Sequence, residues 1–393
     1  MTHQACFDML SVEDAADRLG SGPVAAAPYF DPDWWELERR AIFMRTWLHV
    51  GHVCELPGPG CFIRRDLEFA NASLLIMRGK DGEVRAFHNV CTHRGTRLVE
   101  EAEGKRALFS CQYHRWTYGP EGQLVSAPDL ERFHVDKDSC GLRKVALAIC
   151  GGLIFINLAK SPQQDLREFL GPIFDALENL PVARATHFSE WTYEIEANWK
   201  LNFDNFQENY HLRFIHPRTG EQAMGPENPF GYPTAYGFCG PHRSQVLWKN
   251  PSPPPIPPVM RFAHGRAAQL AAHDATWPKT DFKLFPCLHI VGLAANFYSH
   301  TMTPLGPSRT RGQIRMYWTG EADSPSRLFT REFTSMAIRD VLVEDRHAVE
   351  AGQRGLSSGA IDKVHFQDHE VLLRHLYRTV EEKVAQYRSQ TAP

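Results

Sequence analysis

Residues 91–95 read CTHRG and residues 111–116 read CQYHRW, and what binds at these two short stretches decides how the hundred residues around them fold. Cys91 and His93 flank one residue, Cys111 and His114 flank two, and all four fall within 24 residues. A lone cysteine or histidine is usually a satisfied core residue. Two thiol–imidazole pairs at close spacing form a metal-ligand pattern. Two metals compete for it. Zinc takes two cysteines and two histidines tetrahedrally, as a rule with like residues paired. Here each loop supplies one of each, which suits a [2Fe-2S] cluster with both cysteines on one iron and both histidines on the other. Replacing anionic thiolates by neutral imidazoles raises the reduction potential and makes a one-electron relay.

Outward from these loops, between Trp47 and Leu158, short apolar runs (WLHVGHV, SLLIMRG, VRAFHNV, ALFSCQY, GLIFINL) alternate with turn signals such as KDGE at 80–83 and GPEG at 119–122. This texture predicts a small all-β domain with the Cys/His pairs at strand ends. VALAICGGLIFINLA (145–159) is too short for a membrane span and is broken by Gly151 and Gly152, so it predicts a buried strand pair. Asp31 as cap and Pro32 as first helical residue predict the first helix of the chain. Beyond Ser161, helical patterns return in DLREFLGPIFDALENL (165–180), and WTYEIEANWKLNFDNFQENYHLRF (191–214) predicts a strand running into a helix. The proline-dense NPSPPPIPPVMRF (250–262) predicts neither helix nor central strand. Strand patterns follow around 288–305 and 311–320, then two helices. The last carries Leu373, Leu376, Tyr377, Val380, Val384 and Tyr387 as one stripe. The simplest parse is α+β: an all-β domain at 45–160 inserted near the start of a larger domain made of 1–44 and 161–393.

The composition of the 393 residues, 43% hydrophobic and 23% charged, is that of a globular protein. A net charge of −3 without basic runs argues against nucleic-acid and anionic-membrane partners. Nine cysteines without a regular framework, and an acidic, polar N-terminus, make the cytoplasm the expected compartment.

A second constellation lies at NWKLNFDNFQENYHLRFIHP (198–217). Glu208 and His211, three apart, share a helical face. His216 would sit about 140° further round an unbroken helix, but Pro217 ends the helix and lets the imidazole swing in. Two histidines and one carboxylate make the facial triad of a mononuclear Fe(II) site with open positions. The carboxylate has to come from elsewhere, and VLVEDRHAVEAGQRGL (341–356) offers Glu344 and Asp345. Glu208-x-x-His211 and Glu344-x-x-His347 also match di-iron spacing, but that site needs four long helices, which 27 prolines and 28 glycines in a strand-rich chain disfavour.

Together, VRAFHNV, CTHRG, CQYHRW and the His211–His216 stretch resemble the Rieske non-haem iron oxygenases, as the terminal oxygenase (alpha) subunit of the aromatic-ring-hydroxylating family. The usual second loop of that family has Pro and Gly where this chain has Gln112 and Arg115. The resemblance implies a Rieske β domain plus a helix-grip catalytic domain, in which an antiparallel sheet wraps a long helix. It implies a [2Fe-2S] cluster on Cys91, His93, Cys111 and His114, and Fe(II) on His211, His216 and Asp345. Asp345 is chosen because Gln353 follows eight residues later, as in the family's acidic motif, and Glu344 is the substitute. Glu208 takes the family's electron bridge at a subunit boundary, between an iron ligand and a cluster histidine of a neighbour. Asn205 is a candidate outer neighbour of the iron ligands. Glu at position 208 resembles the branch that oxidises quaternary ammonium compounds. The family also implies O₂ as co-substrate and a head-to-tail homotrimer, with a small β-type subunit left open. No Gly-x-Gly-x-x-Gly fingerprint appears, so electrons should come from a separate NAD(P)H-dependent reductase, with or without a ferredoxin. The aromatic residues Phe230, Tyr232, Phe238, Trp248, Trp277, Phe282, Phe285, Phe297 and Tyr298, mostly core, favour a hydrophobic or aromatic substrate slightly over a methylated amine. Mono- and dihydroxylation, oxidative demethylation and a plain electron carrier stay open.

Overall fold

The computed structural model describes residues 6–263, 280–293, 296–320 and 323–391. The chain divides into two compact units, Met1–Ile42 with Leu170–Pro393, and Phe43–Phe169.

The larger unit opens with β1 (Asp8–Leu10) and α1 (Val12–Leu19). Helix formation therefore begins before Asp31, a correction. Ser11 caps α1 by accepting from Asp14 N, and Ala15 and Leu19 are its buried face. Eight residues with two buried positions give too short a repeat for periodicity to register. Strand β2 (Val24–Ala25) follows, and Asp31 does cap α2 (Pro32–Glu38), accepting from Asp33 N.

In the smaller unit, β3 (Leu48–His52), β4 (Cys61–Leu67), β5 (Ala72–Arg78), β6 (Val84–His88) and β7 (Glu103–Lys105) precede a three-stranded sheet of β8 (Phe109–Ser110), β9 (Thr117–Tyr118) and β10 (Leu124–Ser126). With β11 (Lys144–Cys150) and β12 (Leu153–Asn157) the former make an antiparallel sheet in the order β3-β12-β11-β6-β5-β4-β7. The apolar run at 145–159 is the β11–β12 hairpin, with Ile149 opposite Ile154 and left-handed Gly151 (φ 56°) and Gly152 (φ 75°) at the turn. Phe62, Leu75, Phe87, Phe109, Trp116 and Tyr118 pack around Cys91 and Cys111.

The helical stretch at 165–180 splits at Gly171-Pro172 into α3 (Leu166–Leu170) and α4 (Ile173–Glu178). Strand β13 (His187–Ile195) then leads into α5 (Trp199–Asp204), α6 (Leu212–Ile215), β14 (Ala235–Cys239) and β15 (His242–Val246). The expected single helix through 214 is corrected: residues 205–211 form turns, because Gln207 leaves helical geometry to bond Asp204 and Arg243. The proline-dense stretch is corrected too. Residues 258–263 are helical (α7), with Pro258 first, where its missing N–H is no loss, and Arg261 N donating to Pro257 O.

Strands β16 (Thr280–Leu284), β17 (Leu288–Leu293), β18 (Asn296–Gly306) and β19 (Arg309–Trp318) complete an antiparallel eight-stranded sheet in the order β1-β14-β15-β16-β17-β18-β19-β13. Helix α8 (Pro325–Ser357), 33 residues and about 50 Å long, and α9 (Val371–Thr391) cover one face with α5, and β20 (Lys363–Val364) pairs with β2. Val371 and Leu372 pack on Tyr236 and Phe238, and Ile338 on Met316. This is the α+β helix-grip arrangement. No helix among the described residues is long and apolar enough to cross a membrane.

Strand alternation corrects the aromatic-pocket expectation. Lys283 pairs with His289 and His289 with His300, so these three share the helix-covered face, together with Asp281 and Tyr298. Phe282 and Phe297 point to the opposite face, where Phe282 meets Phe7 at 5.3 Å. Phe238 and Phe285 are buried core, and Trp277 lies outside the described residues.

Candidate functional site

Asn198 caps α5 by accepting from Lys200 N, and the chain leaves the helix after Asp204. Glu208 Oε2 then accepts from Tyr210 N and His211 N, a carboxylate-centred turn that opens α6. His211 stands at the start of α6 and His216 at its end, with φ −115° and ψ 49°, out of the helical region that the following proline disfavours. Asp345 reaches them from the middle of α8.

His211, His216 and Asp345 each offer one ligand atom, and these lie within 4.8 Å of one another. His216 Nε2 is 2.8 Å and His211 Nε2 3.5 Å from the same oxygen, Asp345 Oδ1. That oxygen is buried and has no hydrogen-bond partner among the described residues. Both Nδ1 atoms turn outward onto other carboxylates: His211 Nδ1 onto Glu208 Oε1, and His216 Nδ1 onto Glu344 Oε2 at 2.7 Å. Each imidazole is thus held in the tautomer that leaves Nε2 free as a ligand. Burial works against a charged His216, but the Asp345 and Glu344 carboxylates outweigh it and raise its pKa. A negative field with two free imidazole nitrogens and an orphaned carboxylate oxygen fits a divalent iron.

Adjacent residues on a helix differ by about 100° in direction. Glu344 and Asp345 therefore serve different places, and Glu344, considered above only as a substitute ligand, holds the far side of His216 with Thr219 Oγ1 donating to it at 2.5 Å. The signal for it was the acidic pair itself. Asn205 makes no hydrogen bond to a ligand; its buried Nδ2 has no partner among the described residues. His347 is exposed, so the second Glu-x-x-His pair does not converge. Gln353 Oε1 accepts from Asn198 N at 2.8 Å, and its Nε2 donates to Tyr29 O at 3.1 Å, locking α8 to the start of α5.

In the smaller unit the two loops repeat one backbone pattern. Cys91 N donates to Thr96 O and Gly95 N to Cys91 O; Cys111 N donates to Trp116 O and Arg115 N to Cys111 O. The left-handed position is Gly95 (φ 75°) in the first loop and Arg115 (φ 58°) in the second. A side chain there costs about 1–2 kcal/mol. Arg115 Nη1 donates to Gln112 Oε1 at 2.9 Å, so the two departures from the family pattern bond to each other. The cysteines are buried and the histidines half-buried, with ring centroids 4.5 Å apart. His93 stacks on buried Trp116 at 5.0 Å. Burial, with His114 and Arg94 beside it, lowers the His93 pKa and keeps it neutral, the form a metal takes. Buried thiols facing each other beside a pair of imidazoles fit the cluster.

Tyr118 hydroxyl lies 3.2 Å from Cys91 Sγ and accepts from Thr92 N. Donating to a ligating sulfur stabilises the reduced cluster. Tyr118→Phe is expected to lower the midpoint potential by roughly 40 mV, the equivalent of about 1 kcal/mol for one electron; a dithionite titration followed by paramagnetic resonance checks it.

The chain matches the family described as "Ring hydroxylating alpha subunit (catalytic domain)" over residues 182–386 and the "Rieske [2Fe-2S] domain" over residues 46–145. It is 38% identical over 380 residues to the glycine betaine monooxygenase oxygenase subunit of Chromohalobacter salexigens, covering 87% of this chain and 81% of that protein. It is 28% identical over 341 residues to the carnitine monooxygenase oxygenase subunit of Acinetobacter pittii, covering 84% of each. Among solved structures, the quaternary ammonium Rieske monooxygenase CntA in complex with L-carnitine superposes with a TM-score of 0.74 at 22% identity, over 94% of this chain and 98% of that one, a likeness of fold.

Proposed function

Because the chain belongs to the Rieske non-haem iron oxygenases as an alpha subunit, we propose that it is the terminal oxygenase of a system that oxidises a small quaternary ammonium compound. The observation that carries this reading is the 38% identity, across most of both chains, to a glycine betaine monooxygenase oxygenase subunit. The expected hydrophobic or aromatic substrate has less support, from relatives and from the polar central sheet face alike. The enzyme is an oxidoreductase with a Rieske cluster and a mononuclear iron, and an oxygenase subunit takes its electrons from a separate reductase. A ferredoxin between them and a homotrimeric assembly belong to the same proposal.

We assign the cluster to Cys91, His93, Cys111 and His114, and the iron to His211, His216 and Asp345, with Glu208 and Glu344 orienting the two histidines. The bound metals supply single electrons and O₂ activation. The protein fixes the imidazole tautomers and keeps Asp345 buried. Oxidative N-demethylation uses one O₂, two electrons and two protons per methyl group, and releases formaldehyde and water.

The test is oxygen uptake with reductase and NADH against glycine betaine, carnitine and choline, beside a panel of aromatic acids. Uptake coupled to formaldehyde with a quaternary amine is expected; coupled turnover of aromatic acids only would overturn the reading. Glu208 is proposed as the bridge to a cluster histidine of a neighbouring subunit. Glu208→Gln is expected to retain both metals and slow single-turnover oxidation of the reduced cluster about ten- to a hundredfold. Wild-type rates would remove the bridge.

A further inference from the structure

The centre of the helix-covered sheet face is polar where a greasy core would be expected. Gln245 on β15, Asp281 and Lys283 on β16 and His289 on β17 are all buried. Asp281 is their hub: its Oδ2 accepts from Gln245 Nε2 at 2.8 Å, and its Oδ1 accepts from His289 Nε2 at 2.7 Å and from Lys283 Nζ. Burial works against the Asp281 charge, but Lys283 and His289 hold its pKa well below the carboxylate range. An ionised hub only accepts, so it fixes the neighbours' orientations: Gln245 turns its oxygen away, and His289 keeps Nδ1 as a lone pair. Gln245 Oε1 and His289 Nδ1 are both buried and without a hydrogen-bond partner among the described residues. Unmatched buried acceptors are destabilising, and a fold retains them where a ligand meets them.

This cluster adjoins the iron site. Phe206, two residues before Glu208, sits 6.5 Å from the His289 ring and 4.8 Å from the His300 ring. His300 Nε2 is 2.8 Å from Tyr193 hydroxyl, which also feels the Asp345 charge. The two orphaned atoms repel a carboxylate. Lys283 offsets the Asp281 charge, and Arg243, across from Lys283 in the sheet, is turned onto Gln207 and Asp204, so what the wall offers a ligand is lone pairs and the Phe206 ring.

We propose that His289 and Gln245, oriented by Asp281, are specificity-determining residues that receive the methylated ammonium head of the substrate, whose electropositive methyl groups meet their lone pairs. The assignment rests on the quaternary ammonium reading above. Asp281 is a positioning residue acting through the other two.

The test is calorimetric titration of the metal-loaded enzyme with glycine betaine and with 3,3-dimethylbutanoate, its uncharged-head carbon isostere. Wild type is expected to bind betaine at least about tenfold more tightly than the isostere. Gln245→Met and His289→Phe are each expected to weaken betaine about three- to tenfold and leave the isostere unchanged. Their melting temperatures are expected to fall modestly, since each removes a donor to buried Asp281 together with the unmatched acceptor, so unchanged isostere binding is the readout that separates lost recognition from lost structure. If both ligands weaken equally, or wild type binds the isostere as tightly as betaine, the inference is overturned while the function stands. If wild type binds none of betaine, carnitine and choline, the substrate reading and this inference fall together.

Discussion

Asp345→Asn is expected to empty the mononuclear site and abolish substrate-coupled oxygen uptake, with the cluster's visible and paramagnetic spectra unchanged. The amide keeps the shape of the carboxylate, so α8 should stay in place. What is lost is the charge at Oδ1, the one atom on which both His211 Nε2 and His216 Nε2 converge. Two neutral imidazoles alone hold ferrous iron weakly, and a fall in affinity of more than about a hundredfold is expected, beyond the ten- to hundredfold typical of residues behind the ligands. Glu344→Gln, acting only through His216 Nδ1, should fall within that smaller range. Iron analysis of the two variants side by side decides: iron kept in Asp345→Asn and lost in Glu344→Gln would reverse the assignment.

Glu38→Ala should produce the largest loss of stability. Glu38 is completely buried and accepts three hydrogen bonds, from Lys200 Nζ at 2.6 Å, Trp199 Nε1 at 2.8 Å and Trp34 Nε1 at 2.8 Å. Removing it strands a buried ammonium, whose pKa burial already lowers and Glu38 props up. Breaking such a pair costs about 3–5 kcal/mol, so the melting temperature of the metal-loaded enzyme should fall by roughly 10 °C. Glu38→Leu combined with Lys200→Met should regain most of it, because the desolvation of both charges disappears together. A double variant no better than Glu38→Ala would mean that the indole contacts carry the stability.

The two Cys/His loops and the candidate pair His211 and His216 were legible because each is a local pattern: residue type, spacing and a following proline lie within a few residues. Asp345 was not local. Glu344 and Asp345 are chemically alike and adjacent, and only the placement of α8 against α6 separates the carboxylate facing inward from the one behind His216. The helix after Asn198 failed at Asp204 because propensity is a weak prior, and Gln207 gains more from Asp204 and Arg243 than from another helical turn. The sheet wall was missed because aromatic residues were weighed by type. Alternation in Asp281-Phe282-Lys283 sends the aromatic ring to one face and the charges to the other, and which face meets the helices is a matter of topology.

The bond from Gln353 to the backbone of Asn198 makes α8 a ruler with a fixed zero mark. Eight residues separate that mark from Asp345, and a helix turns about 100° per residue. One amino acid inserted or deleted between them would swing the carboxylate away from the imidazoles without disturbing the fold. Three or four would bring it nearly back into bearing, displaced by about 5 Å along the axis. Chain-length variation in descendants of this sequence should therefore be barred from that short interval and free to accumulate elsewhere, so that a gap falling inside it marks a copy that has stopped handling oxygen.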